Sequence, residues 1–373
     1  MKKTILAEHI EQARVATHYQ NYLAIRDRVL EMVEEAEAKG SLPSGYWSEE
    51  VAGFDYMFDA SPLLVEKLRE HCHHLTGIRS YDYRDHHSHV QPLLARKLQA
   101  LQNLDRRGLF VPESLQLGGF GHEINSHLVN VDTLKFYEVM IALDHAGMLD
   151  DFYEDSGEGK VVLEIGGGWG GFAYQFMTIF PKATFMIIDL PATLLFSAVY
   201  VNALFPDAQC FIYGDAPVKN LTTDYEFVAL PHFALPDIEL VPDLAINMVS
   251  FQEMTTAQVD GYAQRMHQLG CERLYSLNRD RSRYNDQLSS VSAIVSRYYD
   301  MVEIPILPVQ YTDLTLPVDQ VSIFRRALNF VKRPENLIVA AKRILAQQLN
   351  RAAPRESTYV YKHLAGRRRP NSL

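Results

Sequence analysis

The chemistry-bearing stretch of this chain is Val161 to Phe172, VVLEIGGGWGGF, where an apolar run carries Glu164 near its end and breaks into Gly166, Gly167, Gly168, Gly170 and Gly171. Glycines at such a strand-to-helix turn let a ligand approach the backbone with no Cβ in the way. The next apolar run, ATFMIIDL, ends in Asp189 and Leu190, and a third, QCFIYGD, ends in Asp215. A carboxylate at the end of the second strand can accept hydrogen bonds from both hydroxyls of a ribose. One at the end of the third is placed to accept from an adenine amino group. Both aspartates also have a structural alternative as helix N-caps.

Two ligand classes compete for the turn. Gly166, Gly168 and Gly171 satisfy GxGxxG, the dinucleotide fingerprint of nicotinamide enzymes, which alone is weak evidence. Glu164 tips the balance, because Glu164 to Gly170 also fits ExGxGxG, the loop of class I S-adenosylmethionine-dependent methyltransferases. That loop wraps an amino acid and a nucleoside, so a carboxylate is useful near the ligand's ammonium group. A sulfonium cation also suits an acidic site better than a pyrophosphate does.

The elements that must position these residues are legible from texture. After Lys160 the runs VVLEIG, ATFMIIDL, QCFIYGD, DLAINMVS and RLYSLN are separated by stretches long enough for helices, the pattern of an α/β fold with a parallel sheet. MVEIPILPV and QVSIFRRA predict a final strand pair, and Glu335 to Arg351 a helix. Upstream, residues 4 to 38 lack Gly and Pro and carry one helical apolar stripe until Gly40; helical patterns recur at 61 to 74 and 91 to 104. The chain is therefore expected to divide into a helical region, 1 to 150, that covers the site and joins two subunits, a cofactor domain, 151 to 350, and a tail, 351 to 373. The basic end GRRRPNSL is expected to be disordered.

Composition excludes several classes. A chain of 373 residues at 47% hydrophobic is neither disordered nor fibrous, and a net charge of −10 argues against nucleic acid as a partner. The start, MKKTILAEHI, has no apolar signal core, and the stretch Leu190 to Phe205, broken by Pro191 and Asn202, is shorter than a membrane span of about 20 residues. A cytoplasmic chain is expected. Cys72, Cys210 and Cys271 form no CxxC pair. His71, His73, His74, His86, His87 and His89 form the densest histidine group, where a divalent metal is an alternative that the absence of HExxH or an i, i+4 pair leaves not indicated.

The segments VLEIGGGWGGFA, IDLPATLLFSAVY, ALFPDA, INMVSFQEM and LYSLNR, in this order, resemble a bacterial sugar O-methyltransferase family of class I enzymes. Upstream, residues 118 to 143 and the stretch HCHHLTGIRSYDYRDHH extend the resemblance. It implies a Rossmann-like seven-stranded sheet with a mainly helical N-terminal domain, S-adenosylmethionine as cofactor and S-adenosylhomocysteine as product. It assigns Glu164, Gly166, Gly168, Gly170, Asp189, Leu190 and Asp215 to the cofactor, and implies a homodimer that methylates a sugar or glycosylated metabolite in natural product biosynthesis. GGGWGG followed by IDLP also resembles plant-type O-methyltransferases of phenols, which place a catalytic histidine after the fourth strand. Here that stretch, MVSFQEMTTAQV, offers Glu253 and no histidine, leaving His267 further along.

An alcohol acceptor needs a base to take its proton as the methyl bond forms. Glu253, directly after the fourth strand, is the first candidate, with Gln252 beside it to hold the acceptor and with capping of the helix at Thr255 or Thr256 as its structural alternative. His122 and His127, in a Gly-rich segment before Asn130 and Asp132, are the next, if that segment closes as a lid; their alternative is an ordinary surface position. Tyr81, Tyr83 and Arg84 are candidates to line the acceptor pocket.

Overall fold

The computed structural model describes residues 3–41, 43, 45–282, 285–316 and 359–370. QVSIFRRA and the 335–351 helix lie outside them. The Gly- and Pro-free opening forms two helices, Lys3–Val15 and Thr17–Ala38, because Ala16 is extended (φ −64, ψ 136). The break turns the first helix onto the Pro62–Val65 turn, where His9 Nε2 lies 3.0 Å from Glu66 Oε2. The second helix buries the stripe Tyr22, Ile25, Val29, Met32 and Ala36. Of these, Ile25, Val29 and Met32 are each worth about 1.5–3 kcal/mol when fully buried. The 61–74 region forms three single turns, Pro62–Val65, Leu68–His71 and His73–Thr76, stopped by left-handed Gly77 (φ +71). Helix Gln91–Gln102 and the small antiparallel hairpin of β1 (His122–Ile124) and β2 (His127–Val129) follow. Helix Val131–His145 then starts with Asn130 accepting from the Thr133 amide.

The main sheet has eight strands among the described residues: β3 (Val161–Ile165), β4 (Thr184–Asp189), β5 (Cys210–Ile212), β6 (Phe227–Pro231), β7 (Leu244–Met248), β8 (Arg273–Asn278), β9 (Tyr299–Glu303) and β10 (Lys362–Arg368). Their order is β5-β6-β4-β3-β7-β8-β10-β9, parallel from β5 to β8, with β10 antiparallel to both its neighbours. This is the expected α/β architecture, with eight strands among the described residues in place of the seven expected and two corrections to their arrangement. First, β6, from the run FVALP, inserts between β4 and β5, so the strand leading to Asp215 becomes the sheet edge. Second, part of the basic end is ordered. Residues 362–368 form β10, whose His363 to Gly366 are buried. Arg368 lies 3.4 Å from Glu272, and Arg369, just beyond, lies 2.7 Å from Asp300. The partner of β9 is thus β10.

Helix Thr17–Ala38 packs against helix Pro191–Leu204, and one continuous apolar core runs from Tyr22 and Val29 through Leu134 to Ile187 and Ile246 of the sheet. The opposite sheet face buries Val259, Ala263 and Met266 of helix Thr256–Leu269. The carboxyl ends of the parallel strands therefore open toward a space roofed by the N-terminal helices. No helix among the described residues is long and apolar enough to cross a membrane.

Candidate active site

A cavity of about 430 Å³ lies at the carboxyl ends of β3, β4, β6, β7 and β8. That is where open α/β sheets bind ligands, and the volume falls within the roughly 300–1,000 Å³ of small-molecule sites. One wall is the glycine turn. Gly166 (φ +75) is packed so closely that a Cβ would sit 2.3 Å from Ser250 Oγ. A Cβ at Gly168 (φ +56) would instead meet nothing within 4 Å. Gly168 thus presents bare backbone to a ligand, whereas Gly166 serves close packing. Gly170 does not line the cavity; it caps helix Gly171–Ile179 in the left-handed conformation (φ +82), and a Cβ there would sit 3.0 Å from Ser197 Cα.

Two acids face this wall. Glu164 lies near the end of β3, and its Oε2 is buried with no hydrogen-bond partner among the described residues. Burial, and then the Asp189 carboxylate, push its carboxyl up to about 8. Asp189 ends β4; its Oδ2 accepts from the Gly168 amide at 2.8 Å and its Oδ1 from the Leu190 amide at 2.7 Å. Burial raises it to about 6 against those two bonds. The N-cap of the following helix is Leu190, which also lines the cavity, so Asp189 does not serve as the cap.

The third acid falls elsewhere. In register, Asp189 pairs with Pro231, the last residue of β6, and the residue that follows it, His232, lines the cavity. Asp215 sits on the edge, accepts from the Ile212 amide at 2.8 Å and lies 3.6 Å from Arg28. The inserted β6, a run passed over in the sequence, is what moves it outward. His232 Nε2 is 2.7 Å from Ser41 Oγ, and its Nδ1 has no partner among the described residues.

Beyond β7 the chain bends at Val249, which lines the cavity with φ +63, a strained conformation for a β-branched residue. Asn247 ties this bend down, donating to the Ile165 carbonyl at 2.8 Å and accepting from the Phe251 amide at 3.0 Å. Glu253 follows on a single turn and reaches the cavity. Thr255, not Glu253, caps helix Thr256–Leu269. The Glu253 carboxyl accepts no hydrogen bond from the described residues. Burial pushes it up to about 8; Arg279 opposes this, while Asp189 and Glu50 add to it. Gln252 is buried and accepts from Arg279 Nε at 3.1 Å.

The two candidate histidines are not brought here. His122 is buried in the hairpin against Tyr83, with ring centroids 5.4 Å apart, and exposed His127 packs on Phe110 at 5.7 Å. The hairpin is fastened from behind: buried Asn130 donates to the Phe120 carbonyl and to Glu113, so the segment is a packed support and not a lid over the cavity. Tyr83 accepts from the Val131 amide, and Tyr81 stands half exposed beside His86 and His87; neither lines the cavity, nor does Arg84. His267 lies at the far end of its helix, 2.9 Å from the Arg369 carbonyl. Among the described residues no three His, Cys, Asp or Glu side chains are grouped to hold a metal, but His73 and His74 do line the cavity.

Sequence reasoning missed the far wall: Trp47, Lys135, Arg279, Tyr311 and Tyr361. Arg279 had a usable signal, a charged side chain directly after a parallel strand. The others come from separate loops and helices with no motif. It also missed the buried ion network beneath the glycine turn, where Arg69 contacts Glu113 at 2.7 Å and Asp132 at 2.9 Å, and its guanidinium carbon lies 3.8 Å from the Trp169 ring centroid. Through Trp169 this network braces the turn from the helical side.

No family model and no curated protein sequence matches the chain. Solved structures resemble it weakly. The mitomycin 7-O-methyltransferase is 15% identical over 40% of this chain and 39% of its own, with a TM-score of 0.26. Phosphoethanolamine N-methyltransferase 2 of Haemonchus contortus is 12% identical over 66% and 62%, with a TM-score of 0.33. Human N-acetylserotonin methyltransferase is 10% identical over 74% and 67%, with a TM-score of 0.29. This chain thus spans less than two thirds of the length of the first two. At such scores the likenesses carry nothing for function, which rests on the geometry above.

Proposed function

We propose that this chain is an S-adenosylmethionine-dependent O-methyltransferase acting on a hydroxyl of a sugar or glycosylated metabolite. The observation that carries the reading is Glu164: a buried carboxyl with an unpartnered oxygen, facing a bare glycine backbone and one strand from Asp189. A buried polar atom without a partner costs about 1–3 kcal/mol, more when charged. A cationic ligand would satisfy it, directly or through water. A pyrophosphate would be repelled.

The residues fit the cofactor. Glu164 would take its ammonium end, Gly166 to Gly168 its chain and sugar, Asp189 both ribose hydroxyls, and Leu190 and His232 the adenine. When bound, S-adenosylmethionine supplies an electrophilic methyl group on a sulfonium. The chain's part is to hold the acceptor oxygen in line, at about 3 Å, and to exclude water under the helical roof. Glu253 accepts the hydroxyl proton; with a pKa near 8 its carboxylate is a stronger base than an ordinary one, and Gln252 orients the acceptor. Hydrogen-bonding groups on Gln252 and Arg279 beside the rings of Trp47, Tyr311 and Tyr361 suit the polar edge and apolar face of a sugar. The same rings support the second reading, a phenolic or other secondary-metabolite hydroxyl, although His267 is too remote to act as its base.

Calorimetric titration with S-adenosylmethionine, S-adenosylhomocysteine and NAD tests the reading. The first two are expected to bind and NAD not to. Binding of NAD alone would replace it with hydride transfer. Transfer of labelled methyl to sugars but not to simple phenols separates the two acceptor classes.

A further inference from the structure

The wall facing the acceptor holds a cation with no carboxylate of the described residues within ion-pair distance. Arg279 directly follows β8, the second strand along the sheet from β3. At about 4.8 Å per strand this puts it about 10 Å from the glycine turn, on the far side of Glu253. Its Nε donates to the neutral Gln252 Oε1 at 3.1 Å, and its guanidinium carbon stands 4.9 Å from the Tyr361 ring centroid. No carboxylate of the described residues is ion-paired with it. Tyr361 in turn packs on Tyr311 at 4.7 Å, and Lys135 Nζ lies 5.8 Å from the Tyr311 ring. Lys135 leans on Asp132 at 3.1 Å, but that carboxylate also serves Arg69. The tyrosine pair is therefore flanked by two cations, and both act on Glu253. The acids that share the cavity are accounted for: Glu164 and Asp189 lie on the cofactor wall, Glu253 is the proton acceptor, and Glu50 sits across from it beside Trp47.

We propose that the acceptor carries an anionic group, a carboxylate or a phosphate, which docks on Arg279 and Lys135 over the Tyr311 and Tyr361 rings while its hydroxyl faces Glu253. This rests on the methyltransferase reading and narrows its substrate class. A guanidinium left with free N–H donors beside a ring is the geometry that binds carboxylate or phosphate in two-pronged fashion. In a half-buried cavity that pairing is screened little by solvent. The anion would also fix which hydroxyl presents itself to the base.

The test is titration of the wild-type protein and of Arg279→Gln and Arg279→Lys, saturated with S-adenosylhomocysteine, with glucuronate, glucose 1-phosphate and glucose. Glucuronate or glucose 1-phosphate is expected to bind at least tenfold more tightly than glucose, and which one does so tells carboxylate from phosphate. Arg279→Gln should lose that preference, Arg279→Lys should keep part of it, and all three proteins should bind S-adenosylhomocysteine alike. Equal affinity for the three sugars in a protein that binds S-adenosylhomocysteine overturns the inference and leaves the methyltransferase reading intact. A tenfold loss of S-adenosylhomocysteine affinity in Arg279→Gln, with 5′-methylthioadenosine affinity unchanged, would assign Arg279 to the cofactor's own carboxylate and overturns it too. Failure of S-adenosylhomocysteine to bind the wild type removes both.

Discussion

On the β3 and β4 side of the cavity, the two carboxylates and the glycine backbone come from one short span, Glu164 to Leu190. On the other side, Trp47, Lys135, Glu253, Arg279, Tyr311 and Tyr361 arrive from six separate stretches and present mostly rings and long side chains. The difference teaches where each kind of recognition can be encoded. A turn that must hold one fixed ligand can be written locally, with glycine and an acid at set spacing. A wall that shapes an acceptor is an assembly of distant residues, each replaceable without disturbing the sheet.

That contrast can be broken by mutation, most sharply at the base. Glu253→Gln should lower turnover by about 10²- to 10⁴-fold and leave S-adenosylhomocysteine affinity within about twofold, because the amide keeps shape and burial. A matching loss of affinity would move Glu253 to the cofactor wall. Next comes the brace beneath the turn. Arg69→Met strands two buried carboxyls and should cost about 3–5 kcal/mol in urea unfolding, whereas breaking a surface pair such as Lys182 and Glu158, 2.7 Å apart, should leave the urea midpoint nearly unchanged.

Asp189→Ala should weaken S-adenosylhomocysteine binding by about 10²-fold, from the loss of hydrogen bonds to a charged group. The two walls should also differ in pH. Affinity should rise with pH through about 6 as Asp189 ionises, and turnover through about 8 as Glu253 does. Glu164 gives a smaller, opposite signal in the ligand-free protein. Its folded-state pKa is raised, so the stability of its protonated form is full below about 4.5 and is lost as pH rises through about 8. Glu164→Gln should therefore melt a few degrees above wild type at pH 8.5 and level with it at pH 4.5, while binding cofactor worse. The smallest effect separates neighbours across β6: Asp215→Asn should change cofactor affinity by less than about twofold, and His232→Ala should lower it about threefold to tenfold.

Residues 161 to 190 were legible in the sequence because the strand, the glycine turn and the acid all lie within a few residues of one another and obey local rules. Glu253 was legible for the same reason, one turn beyond a strand. Asp215 misled because its run is a strand with an aspartate near its end, but no local signal says whether that strand lies next to β4 or one place further out. Only β6, with the weak run FVALP, decides that. The basic end misled in the same way: three arginines suggested a solvated tail, but Glu272 and Asp300, which pair with two of them, lie more than sixty residues earlier. His122 and His127 had the right chemistry and a glycine-rich setting. The burial of Asn130, which pins their hairpin away from the cavity, has no counterpart in sequence spacing.

The place of β10 bears on how the molecule is made. The strand that joins β8 to β9 is the last of the eight in chain order, roughly 60 residues beyond β9. β8 ends at Asn278 and β10 begins at Lys362, so at about 5–20 residues per second of synthesis the nascent chain holds β8 as an open edge for about 4–17 seconds. During that interval a row of unpaired amides and carbonyls, on the strand that delivers Arg279, is available to any extended peptide. The wall that carries Arg279 is therefore completed late, and the same edge is the point where a stalled or truncated chain would pair with the wrong strand.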